Sequence, residues 1–274
     1  MSARTPAADR WTEALAAWTI PDKILAAAPE SPWGYSVELF ASRADAAATQ
    51  LTASNRRALE ALPDDGVVLD VGCGGGAASL PLAGRASRIV GVDSFPEMLE
   101  AFMERVAGAG VVAEAVEGSW PEAATHTPVA DVVVCHHVAY NAPDLREFAL
   151  RLTDHSRSLV VVEMTATHPM SGMNPLWLRF HGVVRPTGPT VEDAVAVLHE
   201  AGLPANREVW NAPRPGGFAT RADLVASVRR GLCLPAERDP EVEEALGDRI
   251  VERDGRWGFP DRPVATVWWP GSAR

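Results

Sequence analysis

Residues 67–71 read Val67-Val68-Leu69-Asp70-Val71 and run straight into Gly72-Cys73-Gly74-Gly75-Gly76. A short, nearly unbroken apolar run is the mark of a strand buried on both faces. Glycines placed directly after it make a tight strand-to-helix turn whose backbone can pass close under a ligand. Four more apolar runs follow at 88–93, 111–116, 131–135 and 158–164, with helical stretches expected at 77–83, 96–107 and 143–153. Alternation of this kind gives a parallel sheet covered on both faces, and right-handed crossovers make it doubly wound. The expected fold class is therefore α/β.

The flanks differ from this core. The first fifty residues are alanine-rich, with Trp11, Leu15 and Trp18 at helical spacing, a break at Pro29, Pro32 and Gly34 beside Trp33, and a second helical stretch over 37–62. After Met164 the chain is punctuated by Pro169, Gly172, Pro175, Pro186, Gly188 and Pro189. Thr190 and Asp193 then have capping-box spacing, and Gly202 ends that helix. A sixth strand is expected at 208–210 and helices at 222–232 and 241–246. Asp254-Gly255 signals a hairpin, and a last strand falls at 264–269. The division this suggests is an N-terminal helical cap over 1–62, a ligand-binding core over 63–212, and a helical insertion with the final strands over 213–274.

The formal net charge is -11, which leaves no global basic surface to neutralise phosphates, so a nucleic-acid partner is not expected. The apolar runs are too short to span a bilayer, so neither is a membrane. Cys73, Cys135 and Cys233 lack CxxC or zinc-like spacing; no metal is expected, and sparse cysteines fit a reducing compartment, with the cytoplasm the expected location. Lys23 is the sole lysine, which leaves little room for Schiff-base chemistry.

Gly72, Gly74 and Ala77 satisfy a dinucleotide-binding pattern as well as other nucleoside-binding ones. Asp70 separates them: a carboxylate repels a pyrophosphate and favours a ligand that carries an ammonium and a sulfonium. S-adenosylmethionine is such a ligand. Asp93 ends the second strand about twenty residues further on, where an acid can accept both hydroxyl protons of a ribose. An ordinary capped turn is the plainer alternative for both acids.

On these residues the chain resembles the class I S-adenosylmethionine-dependent methyltransferases. Residues 68–76 look like their first motif, 91–99 like their second, and 131–144 like their fourth-strand motif. Glu117-Gly118-Ser119-Trp120-Pro121 falls where the family places its adenine-contacting loop, although Ser119 stands where an acid is common. The resemblance implies a Rossmann-like, mostly parallel seven-stranded sheet with an antiparallel last strand. It also implies S-adenosyl-L-methionine as cofactor, held by Asp70, Gly72, Cys73, Gly74, Asp93, Ser94, Met98, Ser119, Trp120, Cys135 and His136.

The loop after the fourth strand, Cys135-His136-His137-Val138-Ala139-Tyr140, should line the reaction site. His137 and Tyr140 are the candidate catalytic groups, since a neutral imidazole can take a proton from a hydroxyl or acid. The methyl acceptor is expected to be a small molecule, and the protein a monomer or homodimer. Trp11, Trp18 and Trp33, with residues 168–181, are expected to form a lid over the pocket. The competing functions are a nicotinamide-dependent oxidoreductase and a non-catalytic S-adenosylmethionine-binding module.

Overall fold

The computed structural model describes residues 5–33, 51–214 and 217–274. Seven strands form one sheet: β1 (Gly66–Val71), β2 (Ala86–Asp93), β3 (Val112–Glu117), β4 (Ala130–His136), β5 (Ser156–Thr165), β6 (Asn206–Ala212) and β9 (Arg262–Pro270). Their order is β3-β2-β1-β4-β5-β9-β6. Pairing is parallel from β3 through β5, and β9 lies antiparallel between β5 and β6. The strand order reverses between β1 and β4, so their carboxyl ends diverge and open a crevice there. A two-stranded hairpin, β7 (Val251–Arg253) and β8 (Arg256–Gly258), turns through Asp254 and Gly255, both at positive φ. This is the turn expected from Asp-Gly.

One face of the sheet buries Leu69, Val71, Val133, Cys135, Val160, Val162 and Trp269 beneath α1 (Pro6–Ala16), α5 (Leu145–Asp154) and α7 (Val191–Glu200). The other buries Val68, Ile89, Val132, Val134 and Val161 beneath α3 (Ala53–Ala61) and α4 (Pro96–Gly108). A third core, centred on Ile20, Trp177, Leu224, Leu232, Val242 and Leu246, joins α2 (Asp22–Ala26), α6 (Asn174–His181), α8 (Arg221–Gly231) and α9 (Asp239–Leu246). The cap is thus assembled from three stretches far apart in sequence. Two of them leave the sheet at the same end, where Thr165 pairs with Val264 and Ala212 with Arg262.

Local sequence explains the helix starts. Thr190 and Asp193 form the reciprocal capping box at α7. The helix expected from 143 starts at Leu145, where Asp144 caps α5 by accepting from the Glu147 N–H. The helix expected at 77–83 is not α-helical: turns lead into a short 3-10 segment, Leu80–Leu82, because Pro81 cannot donate to a helical ladder. Of the stretch expected over 37–62, positions 37–50 lie outside the described residues, and Ala53–Ala61 is helical.

Candidate active site

The glycine loop sits at the divergence of β1 and β4. Gly72, Gly74 and Gly76 all have positive φ, at 69°, 48° and 90°. A Cβ on Gly72 would lie 2.3 Å from a methyl of Val138, so the loop after β4 packs directly on the loop after β1. The Gly72 and Cys73 N–H groups donate to the Val92 carbonyl at 2.8 and 3.0 Å. The Gly74 N–H donates to Asp93 Oδ2 at 2.9 Å, and the Gly76 N–H to the Cys73 carbonyl at 2.8 Å.

Asp70 does not face the crevice. It is fully buried behind the loop, where the Ser79 hydroxyl donates to Oδ2 at 2.6 Å and Oδ1 has no partner. Burial, reinforced by the nearby Asp93 charge, pushes its carboxyl up to about 7 against the pull of the Ser79 bond. Its expected direct grip on a cation is therefore replaced by support of the loop from behind. Asn55, at the first turn of α3, completes that support by donating to the Ala78 carbonyl at 3.1 Å.

Asp93 stands half-buried at the end of β2 and joins two elements: Oδ2 accepts from Gly74 and Oδ1 from the Phe95 N–H at 3.1 Å. It is thus both the capping acid of the plainer reading and an acid at the rim, with lone pairs left for further donors. Ser94 and Ser119 are exposed beside it. Met98, in the first turn of α4, is buried. Trp120 turns away: its indole N–H donates to the Phe148 carbonyl at 3.2 Å and its ring meets His155 edge-on.

Two cysteines expected near the cofactor are core residues. Cys73 is 4% and Cys135 0% exposed. Burial pushes both thiols up, so they stay protonated and offer the site only backbone. Tyr140 is likewise committed. Its hydroxyl donates to the Thr165 carbonyl at 2.7 Å, and its ring stacks on Trp11 and meets His168 edge-on. Burial pushes the phenol up, so it is a packing residue and not the acid–base group expected.

His137 is the exposed polar group of this loop, with a side chain 44% accessible. Its φ is 62°, a left-handed conformation that costs a non-glycine residue roughly 1–2 kcal/mol. Two contacts to Glu163 hold it: its N–H donates to the Glu163 carbonyl at 2.7 Å, and Nε2 lies 3.2 Å from Oε1. Glu163 escaped sequence reasoning, although an acid closing the run Val160-Val161-Val162 was a visible irregularity. Burial alone would raise its carboxyl. The adjoining His136 ring and the His137 bond reverse this and bring it to about 2, so it is ionised at neutral pH. His136 is itself pushed down by burial, and its Nε2 has no partner.

The expected lid divides. Trp11 is fully buried, and its indole N–H donates to the Ala142 carbonyl at 2.9 Å, so α1 belongs to the sheet's cover. Trp18 stacks on His168 with ring centroids 3.8 Å apart and donates to the Gly188 carbonyl. It therefore ties the N-terminal segment to the connection that follows β5. Trp33 is 60% exposed. Within the cap, a separate cavity of about 350 Å³ is lined by Asp223, Arg229, Arg230 and Arg256, none of them a site residue.

Among the described residues no group of three His, Cys, Asp or Glu side chains is placed to hold a metal ion. No helix among them is long and apolar enough to cross a membrane.

Comparison with known proteins agrees with this geometry. Residues 68–158 match the family described as Methyltransferase domain. A ubiquinone biosynthesis O-methyltransferase of Rickettsia canadensis is 28% identical over 88 residues, covering 32% of this chain and 37% of that protein. The chain thus matches little more than a third of that relative's length. Among solved structures, a cyclopropane-fatty-acyl-phospholipid synthase-like protein from Lactobacillus casei aligns with TM-score 0.53 and 14% identity, over 91% of this chain and 98% of that one. The YcgJ protein of Bacillus subtilis aligns with TM-score 0.50 and 18% identity, over 81% and 99%. Both likenesses are of fold. The strand order of the sheet is 3-2-1-4-5-7-6, counting β9 as its seventh strand, and over residues 68–158 the chain is similar to the methyltransferase-domain family.

Proposed function

We propose that the protein transfers the methyl group of S-adenosylmethionine to a small-molecule acceptor bound between the loop after β4 and the helical cap. The observation that carries this reading is the state of the glycine loop. The N–H groups of Gly72, Cys73, Gly74 and Gly76 are all engaged within the protein, and no α-helix starts after them. A pyrophosphate needs free amides and a helix N-terminus. A nucleoside without phosphates needs only the side-chain-free surface and an acid at the rim, and the loop and Asp93 fit that group.

Asp93 would accept from the ribose hydroxyls, with Ser94, Ser119 and Met98 around the base. Gly72, Gly74 and the backbone of Cys73, Cys135 and His136 would form the floor, with Asp70 behind it. The bound cofactor supplies a methyl group on a positively charged sulfur. The chain's own residues orient the acceptor, exclude water and receive the acceptor's proton, and His137 is the group exposed at the end of β4 to do so. Three free, buried cysteines support the cytoplasm as its location.

Calorimetry with S-adenosylmethionine, S-adenosylhomocysteine and NAD tests the reading. Binding of the first two and not the third is expected, and tight NAD binding without a response to S-adenosylhomocysteine overturns it. A methyl-transfer screen with labelled donor then separates an enzyme from a silent binding module.

A further inference from the structure

We propose that Glu163 is a positioning residue: it fixes the ring of His137 so that Nδ1 removes the proton from a hydroxyl-bearing acceptor. The proposal rests on the methyltransferase reading above and names the acceptor chemistry for that same site.

The geometry is specific. Glu163 is the register neighbour of His136 across β4 and β5, so its carboxylate lies beside the start of the loop that lines the crevice. His137 then turns back through a left-handed φ of 62° and makes both of its bonds to that one residue. The Glu163 side chain is only 8% exposed, whereas the His137 ring is 44% exposed. A buried carboxylate held ionised accepts and cannot donate, so the nitrogen facing it must carry the proton. In the neutral ring Nε2 is therefore N–H, and the lone pair is on Nδ1. Val138, the next residue, packs on Gly72, which sets this ring beside the loop proposed to hold the methyl donor.

The same cluster selects the acceptor. A carboxylate acceptor has no proton to surrender at neutral pH and would leave the base idle. A hydroxyl carries both the lone pair that attacks and the proton that must leave. In the transfer, the acceptor's O–H bond breaks and its proton passes to Nδ1. The oxygen lone pair forms the O–C bond as the C–S bond breaks, and sulfur keeps that electron pair as a neutral thioether. The imidazolium so formed is stabilised by Glu163 and loses its proton to solvent from the exposed ring.

Two measurements on the full chain test this. Nitrogen-detected histidine NMR at about pH 8 should find His137 as the Nε2–H tautomer, with that preference lost in Glu163→Leu; an Nδ1–H tautomer in the unaltered protein overturns the proposal. Methyl transfer is then measured on 4-methylphenol, neutral near pH 8.5, and on 4-nitrophenol, already ionised there, after a screen of phenols and alcohols. Glu163→Gln, which keeps the shape of the side chain, and His137→Ala should lower kcat on 4-methylphenol by about 10²–10³ with KM and S-adenosylhomocysteine affinity unchanged. On 4-nitrophenol the loss should be under about threefold, since no base is needed. Equal losses on both phenols mean a structural role and overturn the proposal, as does cofactor binding with no transfer to any hydroxyl. Failure to bind S-adenosylhomocysteine at all would instead overturn the methyltransferase reading.

Discussion

Trp11 and Tyr140 lie stacked with ring centroids 5.6 Å apart, and each sends its polar atom to a backbone carbonyl: the indole to Ala142, the phenol to Thr165. The pair clamps the loop after β4 between α1 and the end of β5. Tyr140→Phe removes one hydrogen bond and leaves the Thr165 carbonyl short of a partner. It should cost about 1–3 kcal/mol in urea unfolding while methyl transfer stays within about threefold. A loss of 10² or more in kcat would restore Tyr140 to the chemistry. Trp11→Ala should cost about 3–5 kcal/mol.

The same burial changes what an N-terminal truncation does. Removing residues 1–35 takes away a fully buried tryptophan, so the expected product is aggregated protein rather than a lidless enzyme. Arg185 offers a milder lesion. Its guanidinium lies over the rings of Trp18 and Trp177, at 5.2 and 4.8 Å, and donates to the Trp18 and Thr19 carbonyls. Arg185→Ala should leave S-adenosylhomocysteine binding intact but speed proteolysis near residues 18–33 roughly tenfold, the scale of one to two lost interactions. Unchanged proteolysis would show that Arg185 does not hold the segment.

Asp70 and Glu163 tie stability to pH in opposite senses. Asp70 titrates near 7 when folded against an ordinary 3.8, so the folded state keeps a proton that the unfolded chain releases. Its contribution to stability falls as pH rises from about 4 to about 7. Glu163 is depressed from 4.5 to about 2, and its contribution is lost as pH falls through that interval. Asp70→Asn should therefore gain on the unaltered protein as pH rises from 5 to 8, by on the order of 2–4 kcal/mol. Paired urea titrations at the two pH values check the sign. A difference that shrinks with rising pH would show that Asp70 is ionised in the fold at little cost.

Asp93→Ala removes an acceptor from the Gly74 and Phe95 amides as well as from any ribose. S-adenosylhomocysteine affinity should fall by about 1–3 kcal/mol, roughly 5- to 150-fold, with the fold retained. Unchanged affinity in calorimetry would leave Asp93 only its bonds to the loop.

The five parallel strands were legible because each is a largely apolar run, and because parallel strands joined by helices admit few topologies; that β9 inserts between β5 and β6 was not. What spacing conceals is contact between distant residues. Asp70 looked like a ligand group because it precedes glycines, yet the residue that claims it is Ser79, brought underneath by a turn that Pro81 keeps from becoming a helix. His137 was legible as a polar residue in the right loop. Its partner was not, since only the register between β4 and β5 sets Glu163 beside His136. Tyr140 carried no sign that a carbonyl 25 residues away would accept its hydrogen bond.

The antiparallel strand β9 has a consequence for how the molecule comes into being. It fills the gap between β5 and β6, yet it follows β6 in the chain by about 50 residues. During synthesis at about 5–20 residues per second, β6 waits several seconds for the strand it pairs with, and β5 presents a bare edge for longer. Two unpaired strand edges are an invitation to other chains. α8 and α9 emerge in that interval, and the cap they build with α2 and α6 can gather near the open edge before the sheet closes. The insertion that builds the third core of the finished protein is thus also placed to shield the nascent sheet.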